Sequence, residues 1–492
     1  MLQATLALIS LLIFLLFWAI RRKYCYWHGK GIPYLSFIDY VRLVYHNFTK
    51  PLHEVVRHNY RRHGRLYGSY QGFVPTLVVG DPLLVRDICV KNFKSFTHKI
   101  KPNVMGNSMW DKVMLNTPDE EWKAARSIMS TALTTSRLKA MITEIISAAD
   151  KFCTRLLLEG ENKSAVEVSK MFEGCAINAM AALVYSVDLD PHETPDHPLV
   201  KCGNEFSASL NGWKMILLSS MPTVYKLLPM KFSSNKGTEY FKEFTRHMAQ
   251  QRCASNQRFD DVLQLCLDDL AHGRSHDNFK ISEPTIEDLA AQCMQFLVAG
   301  SDIVALTLMW TAYSIASHPE CQEKVLREID IAVKQNGVTY EALKEMPYLE
   351  AVINEALRMY TPDSFLIRRC TQEISVAGIE VRPGMCIEIP IEGIHHDPEF
   401  FPEPECFKPE RFLPENKDAL VPYTFLAFGA GPRNCVAQRM GIIQTKATLA
   451  CLLRNIKFQR CTETPVPLKL QTASWLLQSL KPVKLGCISR IQ

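Results

Sequence analysis

Phe428-Gly-Ala-Gly-Pro-Arg-Asn-Cys435-Val-Ala-Gln-Arg439 reads as a tight loop that delivers a cysteine to the start of a helix. Two glycines and a proline break any regular element before Cys435, and a helical pattern begins just after it. A cysteine in that place meets free backbone N–H groups and the positive end of a helix, and both favour the thiolate. A lone Gly-x-Cys would more simply be a buried cysteine after a turn. The full spacing F-x-x-G-x-R-x-C-x-A, from Phe428 to Ala437, is far more specific.

Working outward, Glu355-Ala-Leu-Arg358 puts an acid and a base three residues apart on one helix face, where they can pair. Phe407-Lys-Pro-Glu-Arg411-Phe follows, and Trp122 stands four residues before Arg126. The longest helical pattern opens at Pro284-Thr285, with Asp288 placed for a capping box, and closes at Ser317-His318-Pro319. About 32 residues give roughly 48 Å of helix. Its middle, Cys293 to Leu306, is apolar nearly all round, which places it in the protein's interior. Gly300 in that stretch costs roughly 1 kcal/mol relative to alanine, so something is expected to approach the backbone there.

Taken together these stretches resemble the cytochrome P-450 superfamily, in family order from Trp122 to Cys435. The resemblance implies a mainly α fold with a smaller β region, one large domain with a long central helix over haem b, and a haem-thiolate enzyme. Cys435 would be the axial thiolate and iron ligand, a donor that favours O–O cleavage. The family usually has glycine where Ala437 stands, a tolerated small replacement. Glu355, Arg358 and Arg411 would form a buried ionic triad. Trp122, Arg126, Arg368, Phe428 and Arg433 would border the haem, because guanidinium forks suit its two propionates. The phrases A-L-R-M-Y, H-H-D-P and F-x-P-E-R-F are similar to the microsomal branch that holds drug-metabolising enzymes and thromboxane synthase. Substrate contacts are then expected from Ile100 to Leu115, with Met105, Met109, Trp110 and Met114, and from Phe296 and Ala299; reductase docking is expected around Gln438-Arg439.

One departure bears on mechanism. Ala299-Gly-Ser-Asp302-Ile303 matches the family's A-G-x-D/E-T except that isoleucine replaces threonine. In the family the acid and the hydroxyl help deliver protons to dioxygen; isoleucine has no donor or acceptor. Asp302 and Ile303 therefore mark the catalytic position, and three functions are compatible with it. The first is a monooxygenase oxidising a lipophilic small molecule with dioxygen and electrons from an NADPH-dependent reductase. The second is a reductase-independent isomerase or dehydratase of a lipid peroxide or endoperoxide, since thromboxane synthase also carries isoleucine there. The third is a haem-binding lipophile carrier. The first is preferred because most of the family are monooxygenases and one substitution is a thin basis for changing reaction class.

The rest of the chain bounds these readings. Ala4 to Ile20 is a 17-residue stretch without a charge, followed by Arg21-Arg22-Lys23, which reads as an uncleaved membrane anchor with cytosolic basic stop. The domains are accordingly 1–23, anchor and stop, and 24–492, catalytic, giving a single-pass protein of the endoplasmic reticulum membrane with membrane lipid as a partner. Against 51 acidic residues stand 56 Lys and Arg, a net +5, too little for nucleic acid. Sixteen scattered cysteines without a C-x-x-C pair exclude a disulfide scaffold. No nucleophile elbow, zinc helix or Walker loop occurs, and the adjacent His395-His396 has no third ligand correctly spaced, so both histidines read as structural.

Overall fold

The structure is a computed structural model that describes residues 18, 21–99, 108–228, 230, 235–255, 258–271, 285–334 and 337–490. Residues 4–17, 19 and 20 of the apolar stretch, and the segment from 100 to 107, Met105 among them, lie outside the described residues.

Helix α1 (Phe37–Thr49) opens on a capping box: the Asp39 N–H donates to the Ser36 hydroxyl and the Ser36 N–H donates to the Asp39 carboxylate. Helix α2 (Leu52–His63) leads into a hairpin of β1 (Leu66–Gln71) and β2 (Val74–Val79), with Leu66 opposite Val79. The helical half follows: α3 (Asp119–Ala132), α4 (Thr135–Asn162), the short β3 (Val166–Glu167), α5 (Val168–Tyr185), α6 (Pro198–Leu210), α7 (Trp213–Ser220), α8 (Asn235–Ser255), α9 (Ile286–Ser317) and α10 (Pro347–Met359). After it come β4 (Leu366–Arg369), β5 (Ile374–Val376), β6 (Ile379–Val381), β7 (Cys386–Ile389), α11 (Gln438–Asn455), β8 (Ile456–Gln459) and β9 (Lys484–Ser489).

The main sheet has the order β1-β2-β7-β4, with β2 and β7 parallel and the other pairs antiparallel. A second sheet has the order β3-β9-β8. Strand β7 stops at Ile389, because Pro390 has no N–H for the ladder and Ile391–His395 turns helical. The proline-rich stretch from Asp397 to Pro422 holds only two 3-10 segments, Pro409–Phe412 and Pro414–Ala419. One apolar core joins α3, α4, α5, α9, α10 and α11 to β8 and β9, and a second lies between the main sheet and α1–α2. The fold is therefore mainly α with a smaller β region, as the sequence resemblance implies.

Helix α9 sets the geometry of the centre. Its 32 residues begin on the expected capping box, with Thr285 Oγ1 accepting from the Asp288 N–H and Asp288 Oδ2 accepting from the Thr285 N–H. It is long and apolar enough to cross a membrane, yet most of it is buried inside the protein, so it is a core helix. What approaches Gly300 is Met180 of α5: a β-carbon at Gly300 would stand 2.6 Å from its Cε. The end of a methionine can move aside, and alanine gains about 1 kcal/mol in helix propensity. Gly300→Ala should therefore shift stability by no more than about 1 kcal/mol, while Gly300→Val should cost about 1–3 kcal/mol by overpacking, both read from denaturant midpoints.

Candidate active site

The cysteine loop is built by its glycines. Gly429 and Gly431 hold φ of +70° and +72°, in the left-handed region that glycine enters without strain. At Gly431 a β-carbon would also lie 1.9 Å from the Cys89 carbonyl oxygen. Backbone bonds then close the turn, with the Asn434 N–H donating to Gly431 O at 2.9 Å and the Cys435 N–H to Phe428 O at 2.8 Å. Phe428 packs against the main core. Helix α11 begins three residues after Cys435, so the cysteine stands just ahead of the helix instead of in its first turn. Burial raises the Cys435 thiol, while the Ala437 amide, Lys99 and Arg126 pull it down; the balance is upward, against the lowered thiol expected from sequence.

Although protein closes round it, Cys435 keeps the surface of an exposed residue. Ala299 does the same in the middle of the otherwise buried α9. Both residues thus border internal space.

Four cations gather on the loop. Arg126, from α3, donates through Nη1 to Asn434 O at 2.6 Å and through Nη2 to Asn434 Oδ1 at 2.7 Å, fixing the residue before the cysteine. Arg433 lies over the Trp122 ring at 4.4 Å and donates through Nη2 to Thr117 O at 2.9 Å, leaving its Nε and Nη1 buried without an acceptor. Arg368, brought in by β4, donates through Nη1 to Ile367 O and likewise leaves Nε unpaired. Lys99 is the fourth. Burial and the neighbouring Arg368 and Arg433 push its amine down to about 7, and burial with Arg368 pushes Arg433 down to about 9.

Buried like charges of this kind are costly unless an anion joins them. Among the described residues the Asp363 carboxylate and Cys435 oppose Lys99, and Asp363 already accepts from Trp475 Nε1 at 2.9 Å. The two propionates of haem b would supply the missing anions and Cys435 would supply a sulfur donor for its iron, so the residues present fit that group. Sequence reasoning missed Lys99 and Asp363. Neither sits in a motif, and their meaning arises only where segments far apart in the chain meet.

The acid and base expected to pair are wholly buried. Arg358 Nε and Nη2 reach Glu355 Oε2 and Oε1, each at 2.8 Å, and Arg358 also donates to His395 O and Pro404 O. Arg411 is a looser third member, with Nε 3.4 Å from Glu355 Oε1 and Nη2 donating to Glu403 O. His395 is neutral, its ring pushed down to about 3 by burial, with Nε2 accepting from the Leu426 N–H and Nδ1 at 3.1 Å from Arg358 O. Both histidines serve packing and hydrogen bonding, and no cluster of metal-binding side chains occurs among the described residues.

On α9, burial raises the Asp302 carboxyl to about 7, with a hydrogen bond from Ser207 of α6 opposing and Glu173 adding to the rise. Its Oδ2 has no partner among the described residues. Ile303 is partly buried against the core. Ser301 cannot stand in for the missing threonine, because its hydroxyl donates back to Leu297 O at 2.7 Å and is 3.1 Å from Val298 O. Met109, Trp110, Met114 and Phe296, expected at the substrate, are buried in the core, where Trp110 packs on Phe206 at 5.3 Å.

Comparison with known proteins agrees with this geometry. The cytochrome P450 family profile matches residues 33–486. The chain is 31% identical to cytochrome P450 3A41 of Mus musculus over 494 residues, covering 99% of this chain and 97% of that protein. It is also 31% identical to lithocholate 6-beta-hydroxylase of Mesocricetus auratus over 471 residues, covering 94% and 90%. From a matching profile across nearly the whole catalytic region, and a cation-ringed cysteine that fits haem b, the chain belongs to the cytochrome P450 family and is a haem-binding oxidoreductase of the monooxygenase class.

Proposed function

We propose that the protein is a membrane-anchored monooxygenase that oxidises a lipophilic small molecule with dioxygen and with electrons from an NADPH-dependent reductase. The observation that carries this reading is the pairing of an open, cation-ringed Cys435 with a buried acid, Asp302, on the central helix. When bound, the haem would supply activation of an O–O bond, and Cys435 would hold its iron through sulfur.

In this reading each residue of the chain has a definite task. Lys99, Arg368 and Arg433 would hold the two propionates, Trp122 backs Arg433, and Arg126 keeps the loop in place. Asp302, poised near neutrality with Oδ2 free, takes up and releases a proton at that atom. With Ser301 committed to its own helix and Ile303 inert, the proton leaves by way of water. The apolar surfaces of Ala299 and Ile303 suit a lipophilic substrate, and the name of the Mesocricetus relative gives lithocholate as the compound that protein hydroxylates.

A membrane location is supported by a patch of exposed apolar side chains: Ile38, Val41 and Tyr45 on α1, Trp213 on α7, and Leu227 beyond it. Tyr40 OH donates to Ser220 O at 2.6 Å, tying the two helices together. The endoplasmic reticulum, a cytosolic catalytic domain and a single span follow from the anchor reading. Exposed Arg439 and Lys123 flank the loop on the side where a reductase would dock.

Asp302→Asn should lower product formation by about 10²-fold or more while leaving substrate-induced spectral changes of the haem intact. The same variant should show a signed pH effect. The folded pKa of Asp302 is raised, so its contribution to stability is greatest below the unfolded value of 3.8 and is lost as pH rises towards about 7. The asparagine variant should therefore gain stability over the parent near pH 8 and lose that gain near pH 4, in paired thermal melts. The overall reading is tested by NADPH oxidation in a reconstituted system: acceleration by lipophilic compounds only when reductase and this protein are both present supports it.

A second reading has its own observation. With Ile303 in place of a hydroxyl and Ser301 turned away, nothing on this turn of α9 replaces the usual donor. That arrangement suits a reductase-independent isomerase of a lipid peroxide or endoperoxide, for which Asp302→Asn would leave turnover unchanged.

A further inference from the structure

Behind β4, on the face away from Arg368, the main sheet and helices α1, α2 and α7 enclose a cavity of about 60 Å³. That is room for about two waters, or for one ammonium group. Glu388 of β7 lines it, paired across the sheet with Val78 and Ile367. Protein surrounds most of the side chain, which keeps surface towards the cavity, and its carboxyl has no hydrogen-bond or ionic partner among the described residues. Burial alone pushes that carboxyl up to about 7.

No cation among the described residues lines the cavity, and the arginines of β4, of α2 and of the turn before β1 are engaged elsewhere. Arg369 donates to Gln71 Oε1 and Gly384 O, Arg57 pairs with Glu392 and Glu405, and Arg65 pairs with Asp397 and Glu399. The rest of the lining is neutral: hydroxyls of Tyr67 and Thr76, the Asn59 amide, and apolar walls from Leu43, Val56 and Phe365. An enclosed acid with no protein counter-ion is costly, so its natural complement is a cation from outside. The helices that cover the cavity, α1 and α7, carry the exposed Ile38, Val41, Tyr45 and Trp213, the surface over which an amphiphile would arrive.

We propose that this cavity is a second small-molecule site, in which Glu388 receives the protonated amine of a cationic amphiphile whose tail runs out towards the exposed apolar side chains of α1 and α7. The site lies on the opposite face of β4 from Arg368. Phe365 forms a wall of the cavity and packs edge-on against Trp475 at 5.1 Å, and Trp475 in turn holds Asp363.

The test is thermal unfolding of the full-length haem protein near pH 7.5 with n-hexylammonium, beside n-hexanol and potassium chloride at equal ionic strength. The amine alone should raise the unfolding midpoint. In Glu388→Gln the half-saturating amine concentration should rise roughly tenfold or more, as expected for loss of a charge-assisted bond. Glu388→Met, which removes the unpaired acid, should fold at least as stably as the parent and give no response to the amine. The haem absorption band is recorded throughout, because an amine that ligates iron would move it equally in all three proteins. Equal stabilisation of parent and Glu388→Gln would overturn the proposal, as would the absence of any shift in the parent. A Glu388-dependent response to potassium as large as that to the amine would also overturn it, since the site would then hold an inorganic cation.

Discussion

Cys435→Ser should purify with several-fold less haem than the parent and without the thiolate-type band of the reduced carbon monoxide complex. The expectation rests on what the substitution leaves alone. The loop is held by backbone bonds from Asn434 to Gly431 and from Cys435 to Phe428, by the glycine conformations at 429 and 431, and by the grip of Arg126 on Asn434. None of these uses the sulfur. A hydroxymethyl group fits where the thiol stood, so the fold and the cation ring persist while the soft, anionic donor disappears. The parent and the variant should therefore melt with similar cooperativity as apoproteins. An unchanged carbon monoxide band in the serine variant would show that the ligand lies elsewhere.

Arg358→Ala should cost about 3–5 kcal/mol and appear as loss of folded holoprotein, with no graded kinetic defect. Glu355 is completely buried, and Arg358 supplies both of the bonds that neutralise it from within α10. The same guanidinium caps the carbonyls of His395 and Pro404, so its removal leaves those two acceptors unpaired and leaves the buried carboxylate with the neutral Lys408 N–H at 2.9 Å and the longer Arg411 contact. Lysine cannot replace it, because a single ammonium cannot span both carboxylate oxygens and reach those carbonyls. Arg411→Ala should be milder, near 1–2 kcal/mol, since its contact with Glu355 is longer and its side chain is partly exposed. The yield of soluble haem protein and denaturant midpoints distinguish these outcomes.

The parts of the molecule that are legible in the sequence are those whose cause is local. The ends of α9 are marked by Thr285, Asp288 and Pro319, and the helix runs between them. The loop before Cys435 declares itself through glycines that must take positive φ, and the Glu355–Arg358 pair through its spacing of three. Long-range convergence is not legible. Lys99, Arg368 and Arg433 belong to three segments, and their shared need for an anion exists only after folding. The helix end alone would lower the thiol of Cys435, but its enclosure outweighs the one amide and two cations that favour the thiolate. Trp110 and Met109 illustrate the converse, because a composition that suits a pocket suits a core equally well, and they pack in the core. Glu388 looks like one polar residue in a β run, and only the sheet register and the cavity beside it show that it lacks a counter-ion.

The most direct test of the central claim is the origin of oxygen in the product. Purified haem protein would be incubated with lipophilic substrates under isotopically labelled dioxygen, with and without NADPH and reductase, beside a lipid endoperoxide under the same conditions. The account predicts label in the product only when NADPH and reductase are both present, and no rapid conversion of the endoperoxide without them. Fast rearrangement of the endoperoxide in the absence of reductase, with no label incorporated from dioxygen into any substrate, would contradict it and assign Ile303 to an isomerase.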